Sequence, residues 1–245
     1  MPLSDRNVAG APETGSILPR RSTPATRFII SAIVIGFAIE IVTGAWQNPY
    51  RLARLGAVVR EWIFLDGQYW RLVSAMFLHG DGTIPGGLLH VALNLLAIVQ
   101  IGRLFELMFG TRRYLFIYFT AGIIASVTSA LVNGGPSVGA SGAIFGILGA
   151  FVLSVRRSPR WRHERAARSI VNQLIFWIVA NIAIGMRMPQ IDNSAHLGGL
   201  IAGLILGAIL PHAPLPPPPA AQAVIDVTPY GEGSAGGPAG RRDDR

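Results

Sequence analysis

Two short stretches decide how this chain reads: Gly139-Ala140-Ser141-Gly142-Ala143-Ile144-Phe145-Gly146 and Ala195-His196-Leu197-Gly198-Gly199. Each opens an apolar run near the length that crosses a bilayer as a helix. A hydroxyl and an imidazole therefore sit at the mouths of two candidate membrane helices. Bilayer interiors seldom keep polar side chains without a use, and these two groups are the minimum parts for nucleophilic acyl transfer. A third apolar run carries His90-Val91-Ala92-Leu93-Asn94.

The composition around these stretches agrees with a membrane setting. The chain has 245 residues, 51% of them hydrophobic and only 14% charged, against about 25% charged in soluble domains. Six apolar segments run roughly 28–46, 86–108, 113–132, 139–155, 169–186 and 194–211. The reading is a single all-α, polytopic membrane domain over 28–211, with six transmembrane helices and a long first external loop. Residues 1–27, rich in Pro, Ser, Thr, Ala and Gly, read as a disordered tail. They do not look like a cleaved signal peptide, because the apolar run starts too late and is too long. Residues 212–245, with Pro216-Pro217-Pro218-Pro219 and a Gly-rich end, read as a second unstructured tail.

The net charge is +8, and all 21 basic residues are arginine. Because the arginines lie beside apolar runs, topology explains them better than nucleic-acid binding, and no nucleic-acid partner is expected. Arg156, Arg157, Arg160, Arg162, Arg165 and Arg168 fall between the fourth and fifth segments, Arg112 and Arg113 between the second and third, and Arg20, Arg21 and Arg27 before the first. These sites share one side of a six-pass chain, which the positive-inside rule places in the cytosol together with both termini. The link from about 47 to 85 lies outside despite Arg51, Arg54, Arg60 and Arg71. Trp46, Trp62, Tyr69 and Trp70 suit an interfacial belt, and 68–78 reads as lying in the interface. The chain has no cysteine, which excludes disulfides, thiolate metal sites and a cysteine nucleophile.

In this topology Ser141 and His196 lie at the outer ends of the fourth and sixth segments, at similar depth. Gly142, Gly146 and Gly149 thin one helix and Gly199, Gly203 and Gly207 the other. Small faces of this kind let membrane helices approach closely, as a Ser–His hydrogen bond of about 3 Å requires. On the glycine pattern alone, Ser141 could serve only helix packing and His196 only a helix end. His90 and Asn94 are four apart and share a helical face, so they could donate to an oxyanion or form an interhelical polar clasp. The Ser141 backbone amide, at a helix start, is a further candidate donor. Glu40, inside the first segment, reads as close enough to the outer end to snorkel or pair. His79 reads as a loop residue, Asp192 sits in an exposed loop, and no His, Asp or Glu set has metal-ligand spacing.

Gly139-x-Ser141-Gly142, Ala195-His196-x-x-Gly199, His90-x-x-x-Asn94 and Trp70-Arg71, in this order, resemble the rhomboid family of intramembrane serine proteases. The resemblance covers about 28–211. It implies a Ser141–His196 dyad without a carboxylate, so that Asp192 is not a third member. It implies an oxyanion site of His90, Asn94 and the Ser141 amide, and no cofactor. It gives Trp70-Arg71 a structural part in the first loop and Glu106 a polar position at the inner end of the second helix. Phe145 stands where some members have Tyr beneath the histidine, so stacking would survive and a hydroxyl contact would not. The implied partners are the lipid bilayer and single-pass transmembrane protein substrates. These would enter past the fifth helix (Phe176, Trp177) and the 186–194 loop and be cut near the outer face. No organelle-targeting segment is evident, so a prokaryotic inner membrane is the expected setting. Two other readings compete. A rhomboid-like binding protein without activity would lack the serine or the histidine. A transporter would show an inverted repeat, and none is evident.

Overall fold

The structure is a computed structural model, and it describes residues 22–80, 84–133, 135–159, 161–188 and 190–210. Of the expected tails over 1–27 and 212–245, residues 1–21 and 212–245 lie outside the described residues, as does Arg160, whereas residues 24–27 are helical rather than disordered. Among the described residues the protein is helical, and its only strand-like pairing is an isolated antiparallel bridge between Val58 and Ser137.

The first helix, α1 (Pro24–Thr43), starts four residues before the expected boundary. Pro24 explains the difference: its missing N–H and fixed φ suit the first helical turn. Gly44, in the left-handed region at φ 67°, ends the helix. Three short helices follow: α2 (Pro49–Leu55), capped by the Asn48 side chain, α3 (Arg60–Phe64) and α4 (Arg71–Ser74). The second apolar segment is α5 (Ile84–Ala97) and α6 (Arg103–Phe109), joined without a break by a π turn at Ile98–Gly102. Then come α7 (Thr111–Val132), α8 (Ser141–Arg157), α9 (Arg165–Gly185) and α10 (Asn193–Ile209).

Among the described residues, four helical stretches are long and apolar enough to cross a membrane: Pro24–Thr43, Gly86–Phe109, Thr111–Val132 and Arg165–Gly185. Their outward faces carry large apolar side chains such as Phe28, Leu93, Phe116 and Trp177. A surface of this kind needs acyl chains against it, and the chain is an integral membrane protein. The other two expected segments, α8 and α10, are helices of 17 residues each.

The middle of the bundle is α8, whose residues from Gly142 to Val152 are all buried. Glycine lets its neighbours come within backbone distance. A Cβ on Gly199 or Gly203 of α10 would overlap the carbonyl oxygen of Gly142 or Gly146 of α8. On the other side, a Cβ on Gly142 or Gly146 would strike Ala125 or Ala121 of α7. Lipid supplies little drive to bring helices together, so close van der Waals packing of this kind holds them. By contrast α9 is peripheral and leaves Phe176, Trp177, Val179 and Ile184 exposed.

Two buried charges tie the periphery to this core. Glu106, near the end of α6, accepts from the backbone N–H groups of Ala25 (3.0 Å) and Thr26 (2.8 Å) and from the hydroxyls of Thr26 (2.6 Å) and Thr111 (2.7 Å). One carboxylate thus satisfies the open N-terminus of α1 and touches the start of α7, where the helix dipole favours negative charge. Arg71 is buried and donates to the carbonyls of Ala53 and Ala57 and to Gln68 Oε1 (2.8 Å). Its guanidinium lies 4.3 Å from the Trp62 ring centre and 4.6 Å from that of Trp70. The stretch 68–78 turns Arg71, Ala75, Met76 and Leu78 inward, with Met76 against Gly122 of α7, and leaves Tyr69 and Trp70 exposed.

Candidate active site

Ser141 is the first residue of α8, and His196 is the fourth residue of α10. The close backbone contact between these helices brings His196 Nε2 to 2.8 Å from Ser141 Oγ. The imidazole lies flat on Phe145, with ring centres 4.3 Å apart and planes 8° from parallel. Phe145 is one helical turn beyond Ser141, so a single helix offers both the hydroxyl and the floor under its partner. The stacking read from the sequence is therefore present.

The Asp192 carboxylate does not hydrogen-bond to the His196 ring, whose Nδ1 is buried without a partner among the described residues; the two residues meet only through the His196 backbone N–H, which donates to the Asp192 carbonyl at 3.2 Å. It is also not the exposed loop residue expected; it is half-buried and forms the N-cap of α10. Its carboxylate accepts from the Ser194 and Ala195 N–H groups (each 3.1 Å), from the Ser194 and Ser129 hydroxyls, and from the Asn133 amide (3.1 Å). Burial alone would raise its pKa, but the bonds from Ser129, Ser194, Asn133 and Ala195 outweigh burial and lower it to about 2. Asp192 thereby fixes the helix that carries His196 and ties it to α7. An Asp directly before Asn193-Ser194-Ala195 and an apolar run was a readable helix-start signal.

His90 of α5 reaches the same place. Gly139 has φ 129°, a left-handed value that side chains rarely adopt, and a Cβ there would lie 2.8 Å from His90 Nε2 and 3.7 Å from Ser141 Oγ. The His90 ring and the Ser141 hydroxyl thus flank one glycine. Asn94 is buried one turn further on, and its amide donates to the His90 carbonyl at 2.9 Å. An amide nitrogen carries two N–H groups, so this internal bond leaves one for a ligand.

Two residues contribute more than the sequence reading gave them. His79 is fully buried, its Nε2 accepts from the Ala140 N–H (3.4 Å), and its ring meets the His90 ring edge-on at 5.1 Å. Burial, reinforced by the nearby His90, pushes its pKa down to about 3, which keeps Nε2 an acceptor at neutral pH. Glu40 does not snorkel: it is fully buried, and its Oε1 accepts from the His79 backbone N–H at 2.7 Å. Pairing of α1 with the 78–80 turn depends on the fold of the whole first loop, for which the sequence offers no local signal.

A family model described as a rhomboid domain matches residues 66–213, more than half of the chain. The chain belongs to the rhomboid family. It is 39% identical over 183 residues to Rhomboid protease GluP of Bacillus subtilis (strain 168), an overlap covering 75% of this chain and 34% of that protein. It is 37% identical over 162 residues to RHOMBOID-like protein 5 of Arabidopsis thaliana, covering 65% of this chain and 49% of that one. With Rhomboid-type serine protease 2 of Emericella nidulans, identity is 34% over 149 residues, covering 60% of this chain and 28% of that one. The chain thus spans between about a quarter and a half of the length of these three relatives. The matched rhomboid region contains Arg71, His79, His90, Asn94, Ser141 and His196, while α1 with Glu40 precedes it.

Proposed function

We propose that the protein is an intramembrane serine endopeptidase that hydrolyses peptide bonds in or near transmembrane segments of membrane proteins by a Ser141–His196 dyad. The observation that carries this reading is the 2.8 Å contact between His196 Nε2 and Ser141 Oγ. In the first step Nε2 takes the hydroxyl proton as Oγ bonds to the substrate carbonyl carbon, whose oxygen receives the electron pair. His90, the free N–H of Asn94 and the Ser141 amide would stabilise that oxyanion, each donor on the order of 3 kcal/mol. Collapse breaks the C–N bond, and His196 passes its proton to the departing amine. Water, with His196 again as base, then releases the acyl group from Ser141. Stacking on Phe145 and the cap at Asp192 hold the ring in place, so a third catalytic carboxylate is not needed for orientation.

The proposed arrangement has six spans, with α8 and α10 as the fourth and sixth, both termini in the cytosol and the site toward the outer face of a cell membrane. Helix length supports a recessed site. The 22 residues of α7 rise roughly 33 Å and the 17 of α8 roughly 26 Å. A helix starting later than its neighbour puts its first residue below the rim, where water enters from above and a substrate from the side. The proposed substrates are transmembrane proteins, admitted past α9.

Cleavage of a fluorescent transmembrane reporter by purified protein in detergent tests the reading, with Ser141→Ala and His196→Ala in parallel. Cleavage by the parent and a loss of at least ~10³-fold in both variants is expected. Folded parent protein that cuts none of several reporters, or variants that cut as well as the parent, would sink it.

A further inference from the structure

We propose that Glu40 is a positioning residue for the Ser141–His196 site and acts through His79. The inference rests on the protease reading above. It starts from a cost: a carboxyl group buried completely inside a membrane bundle is expensive and needs a use. Oε1 of Glu40 is used, because it accepts from the His79 N–H at 2.7 Å. Oε2 is buried, has no partner within hydrogen-bond criteria among the described residues, and faces the Gly80 backbone, where a Cβ would stand 3.0 Å away. The same Cβ would come within 2.7 Å of the Trp46 Cα, so the 79–80 backbone is pressed into the turn that follows α1. Glu40 therefore sets the position of the His79 backbone.

The His79 side chain carries that position into the site. Its ring touches the His90 ring and accepts from the N–H of Ala140, the residue bonded to Ser141. Three elements converge on one residue: α1 through Glu40 on the His79 backbone, and α5 through His90 and the approach to α8 through Ala140 on its ring. Moving the 79–80 turn shifts the neighbour of His90 and releases the peptide immediately before the nucleophile. A displacement of this size at an oxyanion site costs turnover more than binding, because the interaction it weakens forms in the transition state.

The experiment compares Glu40→Ala, Glu40→Asp and Glu40→Gln with the parent and Ser141→Ala. It measures kcat and KM on the transmembrane reporter, the rate of covalent labelling of Ser141 by a fluorophosphonate, and the thermal midpoint of each protein. Glu40→Gln keeps an oxygen at Oε1 and is expected within three-fold of the parent in kcat. Glu40→Asp withdraws the oxygen by one methylene and, like Glu40→Ala, is expected to lower kcat and the labelling rate at least ten-fold with KM within two-fold. If Glu40→Ala does not fold, Glu40→Asp decides. Folded Asp or Ala variants with parental kcat and labelling overturn the proposal and leave the protease reading intact. So does a lower thermal midpoint with unchanged kcat, which would mean support of the fold alone. Loss in Glu40→Gln as deep as in Glu40→Ala also overturns it. A parent that neither cleaves nor labels removes the protease reading, and this proposal falls with it.

Discussion

The stacked pair of Phe145 and His196 locates how orientation is achieved when no carboxylate holds the imidazole. A flat aromatic contact contributes about 1 kcal/mol beyond its burial, and tenfold in rate corresponds to about 1.4 kcal/mol. Phe145→Leu, which keeps bulk and loses the flat face, is expected to lower kcat about five-fold with little change in KM, read on the transmembrane reporter. His79 predicts a pH dependence. Its folded-state pKa of about 3 lies below the ordinary 6.5, so the unfolded chain binds the proton more readily. Stability is therefore full above about pH 6.5, declines as pH falls, and levels off near pH 3 after a loss on the order of a few kcal/mol. Over this range the unfolding midpoint of the parent should fall more steeply than that of His79→Gln, which has no imidazole to protonate. Parallel curves would show that another group governs the decline. Ser141 and His196 were legible because each opens an apolar run beside small residues. His79 was not, since a histidine after an apolar stretch carries no mark of burial until the loop folds over it.

At the level of elements, the α8–α10 contact is made by what its glycines lack. Ala is a better helix former than Gly by about 1 kcal/mol, so propensity alone favours Gly203→Ala. The added Cβ would, however, overlap the Gly146 carbonyl, and two main chains cannot yield as a flexible side chain can. The steric term wins, and a net loss of about 1–3 kcal/mol is expected, seen as a lower thermal midpoint in detergent together with weaker cleavage. A rise in midpoint would mean that the helices are further apart than described. The all-helical character and the four long apolar helices were readable from apolar length, because a chain in lipid must satisfy its backbone within each span. Their boundaries were less so. Pro24 moved the start of α1 outward, and the Asp192 cap fixed the start of α10, both through end chemistry that hydropathy does not record.

For the whole molecule, the cysteine-free sequence gives a direct test of orientation. A single cysteine at Gly135, where a side chain meets open space, and another at exposed Arg162 would lie on opposite faces in the proposed topology. In intact cells a membrane-impermeant maleimide should label Gly135→Cys at once and Arg162→Cys only after permeabilisation. The reverse pattern would invert the proposed topology. The two faces are also linked within one helix. Asn94 and Glu106, both buried, are twelve residues apart on the helix that holds the π turn at Ile98–Gly102. At about 100° per residue an unbroken α-helix would set them roughly 120° apart, whereas the additional residue of a π turn reduces this to about 20°. The turn thus works as a phase corrector, letting a single rod address the proposed Ser141–His196 site at one end and the three-helix junction around Glu106 at the other. The number of residues across 98–102 therefore sets the alignment of both ends.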